Sequence, residues 1–158
     1  MALTNRGYTI DTALQLEDGA AAITATEVNS GGELDLGAYE GTGATEGSRF
    51  YGVLVLNVTA LDAASNDELY TIELQGTNTT GFGTATDNVV LASIQLGAHE
   101  ATGAVPGDTG TDTPTGVYEV PFCNVHAGSQ YRYVRLKVTV AGTSPSVTYQ
   151  AHIGIMRR

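Results

Sequence analysis

The stretch from Gln130 to Ile155 constrains the fold of this chain more than any other. Val134, Leu136, Val138 and Val140 alternate with Tyr133, Arg135, Lys137 and Thr139, and after a Gly-Thr-Ser-Pro turn Val147, Tyr149, Ala151, Ile153 and Ile155 repeat the pattern. Successive side chains of an extended strand point to opposite faces, so each run has one apolar and one polar face. Two such runs joined by turn residues predict a half-buried antiparallel β-hairpin. Its apolar register belongs to a core, and Tyr133, Arg135 and Lys137 point away from that core.

Further strands are expected over Asn5 to Leu16, with Tyr8, Ile10, Thr12 and Leu14 in one register. Ala21 to Val28 and Glu33 to Gly37 read as two short strands around a turn at Asn29 to Gly32. Arg49 to Leu61 is a strong strand with both registers apolar at its centre, which predicts burial on both sides or a central place in its sheet. Glu68 to Gly76, Asn88 to Gly97 and Val117 to Phe122 follow. Between them lie loops at Tyr39 to Ser48, Asp62 to Asp67, and Thr77 to Asp87 with Phe82 pinned inside it. His99 to Gly116 is a long unpatterned loop containing Gly103, Pro106, Gly107, Gly110 and Pro114. About eight strands with regular turn signals predict an all-β antiparallel sandwich.

Composition agrees with many strands and turns. Charged residues make up 15% and apolar ones 42%, leaving a large share to Thr and to 20 Gly, which disfavour helix interiors. A chain of 158 residues is most simply one domain, with residues 1–7 as an N-terminal arm. No segment carries a helical period of helix length.

The formal net charge of −10 repels phosphate backbones, which argues against a nucleic-acid partner. The single Cys123 gives no disulfide framework. With no apolar leader and no run near ~18 apolar residues, neither secretion nor membrane association is expected. The expected product is soluble and made in the cytoplasm.

Motifs for catalysis are few. His99-Glu100 begins like a zinc-protease helix, but no second His follows at the required spacing. Cys123 and His126 form one Cys-x-x-His pair with no second pair to complete a metal site. Asp108, Thr109 and Asp112 could offer oxygens to calcium, without the dense spacing of a dedicated loop. A carboxylate pair for glycoside hydrolysis is set only in three dimensions. Asn57 and Asn78 begin glycosylation sequons, read as chance without a secretion signal. Neither a cofactor nor a metal is expected.

The charge layout says more. No Lys or Arg falls between Arg49 and Arg132, whereas Arg132, Arg135, Lys137, Arg157 and Arg158 crowd the end of the chain. One reading is the ordinary blunting of a solvated face or an edge strand. The other is a contact surface for an acidic partner, such as a second copy of this acidic protein or a larger assembly.

Several blocks, in order, resemble a known family. They are Ala22-Ile23-Thr24-Ala25-Thr26 with Glu33-Leu34-Asp35-Leu36-Gly37, then Val53 to Asp62, then Tyr70 to Asn78 with Phe82, and finally Tyr131 to Leu136 with Ala141 to Ser144 and Tyr149 to Ala151. Together they resemble the small decoration, or cement, proteins of tailed-phage capsids, of the jelly-roll type that sits as trimers on the shell. The resemblance implies a non-catalytic virion protein that binds the outer surface of an assembled capsid and bridges neighbouring capsid subunits. Its implied partners are the major capsid protein and two further copies of itself. Contacts are expected from Leu3, Arg6 and Tyr8 at the arm, from Tyr133, Arg135 and Lys137 on the basic strip, and from Arg157 and Arg158.

Two other readings stand beside it. Tyr51, Tyr131 and Tyr133 could stack on sugars in a carbohydrate- or receptor-binding module of a phage tail or fibre, although the chain has no Trp. A cupin-like metal enzyme would need clustered His, and His99, His126 and His152 occupy unrelated sequence contexts.

Overall fold

The computed structural model describes residues 8–28, 32–39, 49–82, 88–102 and 111–156. In chain order its elements are β1 (Tyr8–Glu17), β2 (Glu27–Val28), β3 (Leu34–Asp35), the helical turn α1 (Leu36–Tyr39), β4 (Tyr51–Leu61) and β5 (Leu69–Thr77). A 3-10 turn (Thr80–Phe82) then precedes β6 (Val89–Gly97), the helical turn α2 (His99–Thr102) and β7 (Gly116–Cys123). The chain continues through β8 (Val125–His126), β9 (Ser129–Gln130), β10 (Tyr133–Ala141) and β11 (Val147–Met156). The two helical turns were not foreseen, and α2 occupies the start of the segment read as an unpatterned loop.

The strands assemble into two antiparallel sheets of order β1-β11-β4-β7 and β2-β10-β5-β6, with β3 also pairing β10 and β8-β9 forming a separate two-stranded ribbon. Numbering the eight path strands from first to last, the sheets read 1-8-3-6 and 2-7-4-5. That is the jelly roll, two packed antiparallel sheets built from two Greek keys. The expected all-β, jelly-roll-like sandwich is therefore what the chain forms.

Alternation does its expected work at the core. Val134, Leu136, Val138, Val147, Ala151 and Ile153 are fully buried, together with Leu54, Leu56, Tyr70, Ile72 and Leu74 from the strands beside them. Both sheets contribute to one cluster, so the space between them is filled with side chains.

The expected hairpin does not form. β10 pairs with β5 on one side and with β2 and β3 on the other, whereas β11 pairs with β1 and β4. The segment between them is an arch that crosses from one sheet to the other, so the two apolar faces look at each other across the core. A period of two fixes which face is buried but says nothing about which strand lies alongside. The arch is held by its neighbours: the Asp67 carboxylate accepts from Thr143 N at 2.9 Å and Thr143 Oγ1 at 2.8 Å. The Tyr70 hydroxyl, 2.8 Å away, accepts from Ser146 N. Gly142 takes a φ of 106° there, and a Cβ on it would lie 2.5 Å from the Asp67 carbonyl oxygen.

β1 departs from a single register. It advances five positions, Ile10 to Gln15, while β11 advances two, Gly154 to His152. The odd excess flips the outward face, so Tyr8 and Ile10 point outward whereas Leu14 and Leu16 are buried. The double apolar register of β4 has the foreseen cause: β4 lies inside its sheet between β11 and β7, and Val53 and Val55 on its outer side are also buried. Pro121 sits within β7, which an edge strand tolerates. β2 and β3 both pair with β10, and the turn read between them falls mostly outside the described residues.

Candidate docking surfaces

The residues expected at an interface are not brought together. Tyr8 lies on the outer face of the β1-β11-β4-β7 sheet, and Tyr133, Arg135 and Lys137 lie on the outer face of the other sheet, on the far side of the sandwich. Leu3, Arg6, Arg157 and Arg158 fall outside the described residues.

Tyr8 opens β1 opposite Met156. Its ring lies against Gly154, where a Cβ would come within 2.5 Å of it. Its hydroxyl donates to a Glu119 carboxylate oxygen on β7, at 2.7 Å. Register places Gly154, Val53 and Pro121 in one row across the sheet, with His152, Val55 and Glu119 in the next. The same face carries Ile10, Tyr51, Val117 and Met156, each more than 40% exposed. These are four of the six large apolar side chains exposed among the described residues. A solvated antiparallel sheet face is ordinarily polar, so this concentration makes the face a candidate contact surface. The sequence held part of the signal, in the double apolar register of Arg49 to Leu61 and in Tyr51, but nothing in it joins Ile10, Val117 and Met156 to them. His152, half-buried on this face, has its pKa lowered by burial, which favours the neutral imidazole.

The opposite face is polar and centred on β10. β10 is an interior strand, so the edge-strand reading of its basic residues does not hold. Register aligns Tyr133 with Thr77, Arg135 with Gln75, Lys137 with Glu73 and Thr139 with Thr71. Acids neutralise part of the strip. Arg132 forms a two-pronged pair with Asp35, Nε to Oδ1 at 2.7 Å and Nη2 to Oδ2 at 2.6 Å, which raises the Arg132 pKa. Lys137 Nζ lies 4.0 Å from Glu73. The Arg132 guanidinium also stands 5.1 Å from the centre of the Tyr133 ring.

Arg135 differs. Its guanidinium stacks 4.1 Å above the Phe82 ring, and its Nε donates to Gln75 Oε1 at 3.2 Å. Beside it opens a cleft of about 300 Å³ lined by Val28, Gly32, Glu33, Gly81, Phe82 and Arg135. Glu33 Oε2 accepts from Gly81 N at 2.8 Å, tying the cleft's rim to the 3-10 turn. Phe82 was expected inside its loop and is buried, but nothing in the sequence joined it to Glu33 and Arg135.

The remaining sequence motifs have structural roles or stand apart. Asn78 Nδ2 donates to the Gln130 carbonyl at 2.7 Å while its Oδ1 accepts from Arg132 N at 2.9 Å. Asn57 Nδ2 donates to Gln150 Oε1 at 3.4 Å. Asp112 accepts from His99 N at 3.0 Å, whereas Asp108 and Thr109 are outside the described residues. His99 in α2, His126 in β8 and His152 on β11 occupy separate elements, and among the described residues no three His, Cys, Asp or Glu gather as metal ligands. Tyr51 and Tyr133 are divided between opposite faces, so these two do not share one platform. No helix among the described residues is long and apolar enough to cross a membrane.

No protein-family model matches the chain, and no curated protein matches it significantly.

Proposed function

We propose that the protein is a structural component of a phage virion, binding the outer surface of an assembled capsid as a trimer and bridging neighbouring capsid subunits. The observation that carries this reading is the exposed apolar face of the β1-β11-β4-β7 sheet, bearing Ile10, Tyr51, Val117 and Met156. Such a face suits the shell, since it offers broad apolar contact on a rigid scaffold. The opposite face, with Arg135 at its centre, is then free for a second contact. A molecule with two opposed contact faces is suited to bridging. The order of strand blocks that resembles the decoration proteins supports the same reading.

Binding of this kind stabilises only the assembled shell, by mass action, and trimerisation multiplies weak contacts through effective concentration. Incubating the purified chain with emptied capsids of the phage that encodes it, then sedimenting them, tests the proposal. Saturable co-sedimentation and a higher disruption temperature of the shell are expected. A chain that stays in the supernatant at all concentrations would refute it. Recovery with isolated tails instead would favour the tail-module reading.

A further inference from the structure

Among the described residues, Arg135 is the one member of the trio Arg132, Arg135 and Lys137 with no carboxylate at salt-bridge distance. Its Nε is fixed by Gln75, which is itself buried, and its guanidinium carbon rests 4.1 Å over the centre of the Phe82 ring. Its two Nη nitrogens have no hydrogen-bond partner among the described residues. A planar fork held on two sides, with its remaining donors free, is prepared for a two-pronged acceptor.

Backbone strain supports the same reading. Gly81 and Phe82 both have positive φ, 76° and 53°. A bulky residue in the left-handed region is costly and is kept where the surroundings require it. Here the turn swings the Phe82 ring under the guanidinium. Burial lowers the Arg135 pKa while Glu33 opposes that shift, as expected of a cation partly withdrawn from water.

The cleft also selects among anions. Glu33 shares it with Arg135, so the two formal charges cancel. Any anion seated on Arg135 feels the Glu33 charge, and a dianionic phosphate monoester is repelled about twice as strongly as a monoanionic carboxylate. Val28 and the edge of Phe82 supply an apolar wall for a neighbouring side chain.

We infer that the Arg135–Phe82 cleft receives an acidic side chain, with an apolar neighbour, from a segment of a partner polypeptide. The partner's identity as a subunit of the particle rests on the proposed function, but the cleft's preference for a carboxylate does not. Contact at this face is thereby concentrated at one residue, not spread along a basic strip.

The test uses the whole isotopically labelled chain and follows the Arg135 Nε–Hε resonance. The probes are an acetylated, amidated glutamyl-leucine dipeptide, its glutaminyl counterpart and inorganic phosphate. A saturable shift with the glutamyl probe is expected, with a midpoint about tenfold or more lower than for the glutaminyl probe. Arg135→Lys keeps the charge and loses the fork. Followed through the backbone amides of Gln75 and Phe82, it should weaken binding by a similar factor, and Lys137→Gln should not. Equal responses to the two dipeptides, unchanged binding by Arg135→Lys, or tighter binding of phosphate would each overturn the inference. A saturable glutamyl response in a chain that fails to sediment with capsids would sustain the cleft and refute the capsid reading.

Discussion

The Tyr8 hydroxyl on β1 donates to the Glu119 carboxylate on β7, so one hydrogen bond of 2.7 Å links the two edge strands of a four-stranded sheet. The side chains meet above β11 and β4, with the Tyr8 ring over Gly154 and Val53 buried in the adjoining position. Tyr8 thus belongs to the folded sheet. Tyr8→Phe keeps the ring and loses the bond, with an expected cost of about 0.5–1.5 kcal/mol. Gly154→Ala sets a Cβ against the ring and should cost about 1–3 kcal/mol by overpacking. Urea denaturation of both variants checks this, and Glu119→Gln should resemble Tyr8→Phe in direction.

Asn124 is fully buried and ties three segments together. Its Oδ1 accepts from Phe50 N at 2.7 Å and its Nδ2 donates to the Tyr131 carbonyl at 2.8 Å. Asn124→Ala leaves both backbone groups unpaired, so a loss of about 3 kcal/mol is expected from thermal or denaturant unfolding. Asn124→Asp keeps the acceptor, loses the donor and buries a charge. It should therefore be more destabilising at neutral pH than in mild acid.

Glu17 gives a pH dependence with a definite sign. Burial raises its pKa, against the opposing pull of the Asp18 and Gly19 amides that donate to Oε1. Its Oε2 and the Tyr149 hydroxyl are both buried without a hydrogen-bond partner among the described residues, and the Glu17 charge helps raise the Tyr149 pKa. A carboxyl whose pKa is higher in the folded state binds its proton more tightly there than in the unfolded chain. Its contribution to stability therefore falls as pH rises from the unfolded to the folded pKa, and stays lower above it. Glu17→Gln should raise the melting temperature at pH 7 and give little gain below pH ~4. Asp67 has the opposite sign. The two Thr143 donors lower its pKa, so its contribution is present above the unfolded pKa and is lost as pH falls through the folded value.

The arch between β10 and β11 sets a further expectation. With φ of 106° and the Asp67 carbonyl where a Cβ would go, Gly142→Ala is expected to cost about 1–3 kcal/mol from backbone strain alone. Gly128, also at positive φ but with open space around it, should tolerate the same change better. Paired denaturation curves would separate steric from conformational cost.

The sequence's legibility followed the range of each signal. Val134, Leu136, Val138, Tyr149 and Ile153 could be assigned to a core because alternation is local and burial follows it. Their strand partners could not, because the same alternation fits a hairpin and an arch. The flip within β1 escaped notice because an exposed bulge leaves no mark in a polar stretch such as Asp11 to Ala13. The cleft was hidden for another reason. Glu33, Phe82 and Arg135 are far apart along the chain, and neither the positive φ of Phe82 nor the pairing of Arg132 with Asp35 is written in residue type. Tyr8 and Arg135 were both marked as contact residues, but only topology places them on opposite faces.

The most direct measurement of the central claim is an electron-microscopy reconstruction of emptied capsids incubated with the purified chain. The account predicts added trimeric density on the outer surface at threefold or quasi-threefold positions, with the β1-β11-β4-β7 sheet turned toward the shell. A shell indistinguishable from the untreated capsid, with the chain in large excess over capsid subunits, would contradict it.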